Sequence, residues 1–191
     1  PARTIALCPT GTAPIPESLV RKLAEALSRH GRTGIVETNP LARDKEAPES
    51  LLANLERDCR FVLCPLPQQG MAPNGEGDAD GADRLLRHCD SVILVGRLAD
   101  DPRSGCDRLE RVCTDLFLKR NRNLILWRET SSVPISGASA WLETHCVELH
   151  HHVALDNAGD IERVARFAAG RALGAVFGGG GALGCGHLGL V

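Results

Sequence analysis

At 191 residues, with 43% apolar residues and a formal net charge of −2, the chain has the size and make-up of one ordinary globular domain, and two full domains would be cramped. Four Phe, two Trp, no Tyr and no basic run exclude a nucleic-acid surface built from stacking rings and phosphate-neutralising patches, so no nucleic-acid partner is expected. The eight cysteines form no C-x-x-C and are irregularly spaced, and no charged region followed by an apolar core marks a signal peptide; a reduced, cytoplasmic protein is expected, with cysteine used as a small buried residue.

The elements read as follows. Thr4 to Cys8 is a buried strand closed by the turn Pro9-Thr10-Gly11. Pro16 to His30 is a helix whose stripe is Leu19, Val20, Leu23, Ala26 and Leu27, with Gly31 at its end. Thr33 to Val36 is a short strand, Pro48 to Cys59 a helix and Arg60 to Leu66 a strand. Pro67 to Gly81, rich in Gly, Pro and Asp, reads as a surface loop. After a helix over Ala82 to Cys89 comes Ser91 to Gly96, apolar throughout and so expected at the centre of a parallel sheet. A helix over Asp107 to Lys119, a strand over Asn123 to Trp127 and a polar loop over Arg128 to Ser136 follow. Ala138 to Thr144 is a short helix, Cys146 to Leu149 a short strand and Ile161 to Ala169 a helix.

Strands alternating with helices predict an α/β fold, three-layer with a mostly parallel sheet. The domain spans residues 1–160. Residues 161–191 begin a second unit that is expected to be truncated, and the lack of an initial Met suggests a fragment at that end too.

Leu173 to Val191, LGAVFGGGGALGCGHLGLV, is the most informative stretch. A short apolar strand runs into four consecutive glycines, Gly178 to Gly181, and then an apolar helix start. Without Cβ atoms the backbone turns sharply and offers its N–H groups to a ligand. The adjoining helix N-terminus favours negative charge, so the loop suits a phosphate or a reaction oxyanion. Gly179 to Gly184 also fits G-x-G-x-x-G, which serves a dinucleotide turn as well as an oxyanion hole. A dinucleotide site wants an acidic residue about 20 positions further on. Gly170, Gly174 and Gly178 have the spacing of a membrane-helix packing face. Eight glycines in nineteen residues, each costing about 1 kcal/mol against Ala, count against a spanning helix.

GAVFGGGGALGCGHLGLV resembles the opening motif of the patatin-like phospholipases, most closely the neuropathy target esterase branch. CDSVILVG, DRLERV, NLILWRE and DIERVARFAAG are similar to the region before the catalytic domain of that branch. The resemblance implies a serine esterase or lysophospholipase that acts on phospholipid or lysophospholipid esters at a membrane surface, the protein being cytoplasmic and peripheral to the membrane. It implies an oxyanion hole from Gly179, Gly180, Gly181 and the backbone N–H of Leu183, with Gly184 closing the motif. It further implies cyclic-nucleotide-binding domains upstream, no cofactor, and a Ser–Asp dyad. His187 would be structural. Gly178 stands where many members have Asp, and Leu183 where the family usually has Arg or Lys; the backbone donor survives the second change and a charge is lost.

None of the nine serines lies in G-x-S-x-G; Ser139 in Gly137-Ala138-Ser139-Ala140-Trp141 comes nearest and lacks the second glycine. The nucleophile and its Asp are thus expected beyond Val191, and the chain alone is expected to be inactive. Two alternatives stand beside the hydrolase: a dinucleotide-binding oxidoreductase segment, and a non-catalytic regulatory relative in which Leu183 marks decay of the site. Pro9-Thr10-Gly11-Thr12 is a candidate nucleotide turn, though it lacks the P-loop Lys. In His145 to His152, His150 and His152 would share a strand face, but nothing nearby completes a tetrahedral set, and no metal is expected.

Overall fold

The structure is a computed structural model that describes residues 1–36, 48–68, 79–104 and 107–173. The glycine loop, with Gly179, Gly180, Gly181, Leu183 and Gly184, lies outside the described residues.

Strand β1 (Arg3–Pro9) is apolar on both sides from Ile5 to Cys8, so it needs cover on both faces. It sits inside a six-stranded sheet with β2 (Thr33–Ile35), β3 (Phe61–Pro65), β4 (Ser91–Arg97), β5 (Arg122–Arg128) and β6 (Leu149–Ala154). The order is β2-β3-β1-β4-β5-β6, and every pairing is parallel. Ile5 pairs with Leu63 on one side and Ser91 on the other, which fixes the register of the centre. The expected three-layer α/β fold is what the chain adopts.

The helices are α1 (Glu17–Ser28), α2 (Pro48–Asp58), α3 (Ala79–Arg87), α4 (Asp107–Leu116), α5 (Ala138–Thr144) and α6 (Ala158–Ala168). Parallel crossovers are right-handed, so a connection moving one way along the sheet covers one face, and its reverse covers the other. From β1 the chain runs to the β2 edge and then returns steadily to β6. Accordingly α1 packs on one face and α2 to α5 on the other. On the first face Leu19, Leu23 and Leu27 meet Ile5, Leu63, Ile93 and Val95. On the second, Leu52, Leu86, Leu109 and Trp141 cover Ala6, Val62, Leu94 and Leu126. Helix α6 leaves the far edge and folds back beside α1, with Ile161, Val164, Ala165 and Ala168 in the same core. Asn157 caps it, its side chain accepting from the Gly159 N–H at 2.9 Å.

Gly96 sets how closely α5 approaches. A Cβ there would meet Trp141 Cη2 at 2.6 Å and Cζ3 at 2.7 Å. The indole rests on the bare backbone of β4 and is 1% exposed.

Boundaries differ from the sequence reading at several elements, α6 among them, which begins at Ala158 rather than Ile161. Helix α3 begins at Ala79, inside the expected loop, because Leu85 and Leu86 anchor it and packing outweighs the cost of Gly81. Helix α4 ends at Leu116, and a 3₁₀ turn over Lys119–Asn121 follows. Strand β6 covers Leu149–Ala154 rather than Cys146 to Leu149; Cys146 is exposed, and the histidine run itself is the strand, its alternate position Val153 being buried. Arg128 belongs to β5 rather than to the loop after it, and is buried.

Candidate functional site

In an open parallel sheet, ligands bind beyond the carboxyl ends of the strands, where successive connections leave to opposite faces. This chain has two such places. After β1 the chain turns to the α1 face while its neighbours β3 and β4 send theirs to the other. After β6 it turns to the α6 face while β5 sends its connection to α5.

The mouth at β1 is filled by the protein itself. Gly11 has φ +80°, the left-handed turn that a glycine makes without strain. The turn presents the N–H groups of Thr12 and Ala13, and Asp100 from the loop after β4 takes both. Its Oδ2 lies 3.1 Å from Thr12 N, 2.9 Å from Ala13 N and 2.8 Å from Thr12 Oγ1. Gln68 Nε2 donates to Gly11 O at 3.1 Å from the other side. The donors that a nucleotide phosphate would need are engaged by a carboxylate, so the candidate turn at Pro9 to Thr12 is closed.

At β6 the open space lies along the strand's free edge rather than beyond its carboxyl end. A cleft of about 330 Å³ is lined by Arg128, Ile135, the three histidines His150 to His152, and Asp160 and Arg163 of α6. Asp160 and Arg163 cap the free edge of β6. Asp160 Oδ2 accepts from Ala154 N at 3.0 Å, and Arg163 Nη2 donates to His152 O at 2.7 Å. They also pair with each other, Arg163 Nη1 to Asp160 Oδ1 at 2.9 Å. An edge so covered offers little backbone for another strand to pair with.

Arg128 is 8% exposed, and its Nε and Nη1 are buried without a hydrogen-bond partner among the described residues. His151 Nε2 and His152 Nδ1 are in the same condition. Burial holds the His151 imidazole down at about 4, with Arg163, His150 and His152 adding to the effect. His152 is lowered by burial and by His150, Arg128 and Arg163, against the opposing pull of Asp160. Burial pushes Asp160 upward, but the Ala154 N–H, Arg163 and Arg128 outweigh it and hold the carboxyl below its ordinary value. Both shifts favour the neutral imidazoles of His151 and His152, beside the guanidiniums of Arg128 and Arg163 and the carboxylate of Asp160.

His150 and His152 share a face, their rings 5.2 Å apart and edge to face. His145 does not join them. It is 2% exposed, its Nδ1 bonds Glu110 Oε1, and its ring stacks on Trp141 at 5.4 Å. Among the described residues no group of three His, Cys, Asp or Glu side chains could hold a metal ion. Ser139 is exposed on α5. Also among the described residues, no helix is long and apolar enough to cross a membrane.

Sequence reasoning missed Arg128. The available signal was its place at the carboxyl end of a strand whose apolar run, Leu124 to Trp127, marks it as buried on both faces.

No protein-family model matches the chain. The chain is similar to the neuropathy target esterase sws of Drosophila persimilis and to that of Drosophila pseudoobscura pseudoobscura. In each case the match is 28% identical over 135 residues and covers 56% of this chain and 9% of the relative. The chain therefore spans less than a tenth of the length of these relatives. This distant likeness to an esterase agrees with the resemblance carried by the glycine stretch.

Proposed function

We propose that this chain is the α/β unit and oxyanion-hole loop of a patatin-like serine esterase that hydrolyses phospholipid or lysophospholipid esters. The observation that carries the reading is the sequence Gly178-Gly179-Gly180-Gly181-Ala182-Leu183-Gly184 between an apolar strand pattern and an apolar helix start, in a chain similar to an esterase. Attack of a serine on an ester carbonyl places negative charge on its oxygen. The backbone N–H groups of Gly179, Gly180, Gly181 and Leu183 would bind that oxygen, and one such donor is worth about 2.7–4 kcal/mol in the transition state. The serine and its Asp would come from the longer protein, as would cyclic-nucleotide-binding domains upstream, and the substrate would be met at a membrane surface. Helix α6, with which the catalytic unit would open at about Ile161, is packed against α1, so the loop would be held on a firm base.

The G-x-G-x-x-G spacing keeps a dinucleotide-binding oxidoreductase as the second reading. The coding sequence beyond Val191 separates the two. A G-x-S-x-G within the next few dozen residues supports the hydrolase, and replacing its Ser by Ala should abolish hydrolysis of a lysophospholipid. An acidic residue ending the next strand, with no such Ser, would sink the hydrolase reading.

A further inference from the structure

We propose that the cleft along the edge of β6, beside the end of β5, is a binding site for a phosphate monoester, with Arg128 as its principal ligand. The site is independent of the esterase reading and of the glycine loop.

A guanidinium keeps its charge at any physiological pH, so burial cannot be relieved by losing a proton. Buried charges are normally paired, and an unpaired one is among the costliest features a fold can hold. Arg128 is nine-tenths buried and two of its three nitrogens have no acceptor among the described residues. The carboxylate in the cleft does not serve it: Asp160 uses Oδ2 on Ala154 N and Oδ1 on Arg163 Nη1. Asp160 offsets part of the Arg128 charge through space, but its oxygens are bonded elsewhere and leave the Arg128 Nε and Nη1 without an acceptor among the described residues.

The residues that line the cleft with Arg128 are mostly polar. His152 Nδ1 and His151 Nε2 are buried and unpartnered among the described residues, and each nitrogen can donate or accept according to tautomer. Arg128 and His152 lie on one face of the sheet, with His151 round the strand edge on the other, and a tetrahedral oxyanion, which offers three oxygens and up to two charges, suits such spread donors better than a planar carboxylate with two oxygens and one. The volume of about 330 Å³ accommodates more than a bare phosphate and lies in the range of small-molecule sites. Ile135, 52% exposed, adds an apolar surface for the organic part of the ester.

The test titrates inorganic phosphate, and then glycerol 3-phosphate, into the 191-residue protein with isotope-labelled histidine, and follows the imidazole signals by NMR. Saturable movement of His151 and His152, with His145 unmoved, at a Kd of about 1 mM or tighter is expected. Arg128→Met should weaken this binding at least ~10-fold, and the more exposed Arg163→Gln by a smaller factor, which keeps the test decisive if the first variant fails to fold. Vesicles of phosphatidylcholine with and without phosphatidic acid distinguish the source. Sedimentation with phosphatidic acid alone, lost in the arginine variants, assigns the phosphate to a lipid headgroup; binding of glycerol 3-phosphate without sedimentation assigns it to a soluble ester. No movement of His151 or His152 at ~10 mM of either probe, together with no sedimentation, overturns the proposal. Binding unchanged by Arg128→Met, or by Arg163→Gln where Arg128→Met does not fold, overturns it as well.

Discussion

Asp100 Oδ2 and Thr12 are joined twice, through the Thr12 N–H at 3.1 Å and its hydroxyl at 2.8 Å, and the same oxygen takes the Ala13 N–H at 2.9 Å. One carboxylate thus stands where a ligand anion would sit in the turn after β1, and ties the loop after β4 to it. Asp100→Ala leaves these donors to solvent and is expected to cost about 1–2 kcal/mol, or roughly 2–8 °C in melting temperature for a chain of this size. Sulfate should then stabilise the variant more than the parent, since the emptied turn is an anion-binding concavity. Equal sulfate effects on the two proteins would show that Asp100 does not fill such a site.

Gly96 and Trp141 make a second exclusive fit. Gly96→Ala puts a methyl group 2.6 Å from an indole that is 1% exposed and packed in the core. A loss of about 1–3 kcal/mol is expected from overpacking, and of about 3–5 kcal/mol for Trp141→Ala from the cavity. Denaturant melts of both singles and the double should give a double mutant more stable than the sum of the singles implies. Strict additivity would mean that the glycine serves some other purpose.

The histidine cleft makes stability depend on pH. His151 titrates at about 4 in the folded chain and nearer its ordinary value when unfolded. The unfolded state therefore binds more protons in between, and stability falls as pH drops from about 6.5 to about 4. His152 is lowered also and adds to the fall in the same direction. Asp160, held low, contributes a further loss at more acidic pH. His151 alone should account for about 2 kcal/mol after allowance for solvent screening. His151→Leu should flatten the pH dependence of the melting temperature over that range, and an unchanged slope would assign it elsewhere.

Leu183 sets a prediction for the longer protein. If the missing charge limits the loop, Leu183→Arg raises esterase turnover. Unchanged turnover would show that the backbone donor alone suffices at this position.

The sheet was legible because its strands are. Ser91 to Gly96 and Leu124 to Trp127 are apolar on both faces, which only a parallel sheet with helices on each side satisfies. The stripe Leu19, Val20, Leu23, Ala26 and Leu27 gave α1 nearly to the residue for the same kind of reason. Strand β6 was misplaced because an edge strand needs only one buried face; His150 and His152 face away from the core side of Val153, and the run looks polar. The Asp100 latch spans 88 positions in sequence and the Asp160 cap depends on a helix folding back over an edge, so neither leaves a local pattern. Arg128 hid for a related reason: an Arg after an apolar run reads as the start of a loop, and the cleft it lines with Ile135, Asp160 and Arg163 draws on two later segments. The expected oxyanion donors, Gly179 to Gly181 and Leu183, lie outside the described residues, and their role stands on the sequence pattern.

The most direct measurement is steady-state hydrolysis of a lysophospholipid by the protein extended through its nucleophile, with and without Gly180→Pro, which removes one backbone donor. Melting of the α/β unit serves as the control for folding. The esterase account predicts a kcat lower by about 10²–10³ with KM little changed. An unchanged kcat in a folded variant would contradict it, because an oxyanion hole that loses a donor without consequence is not one.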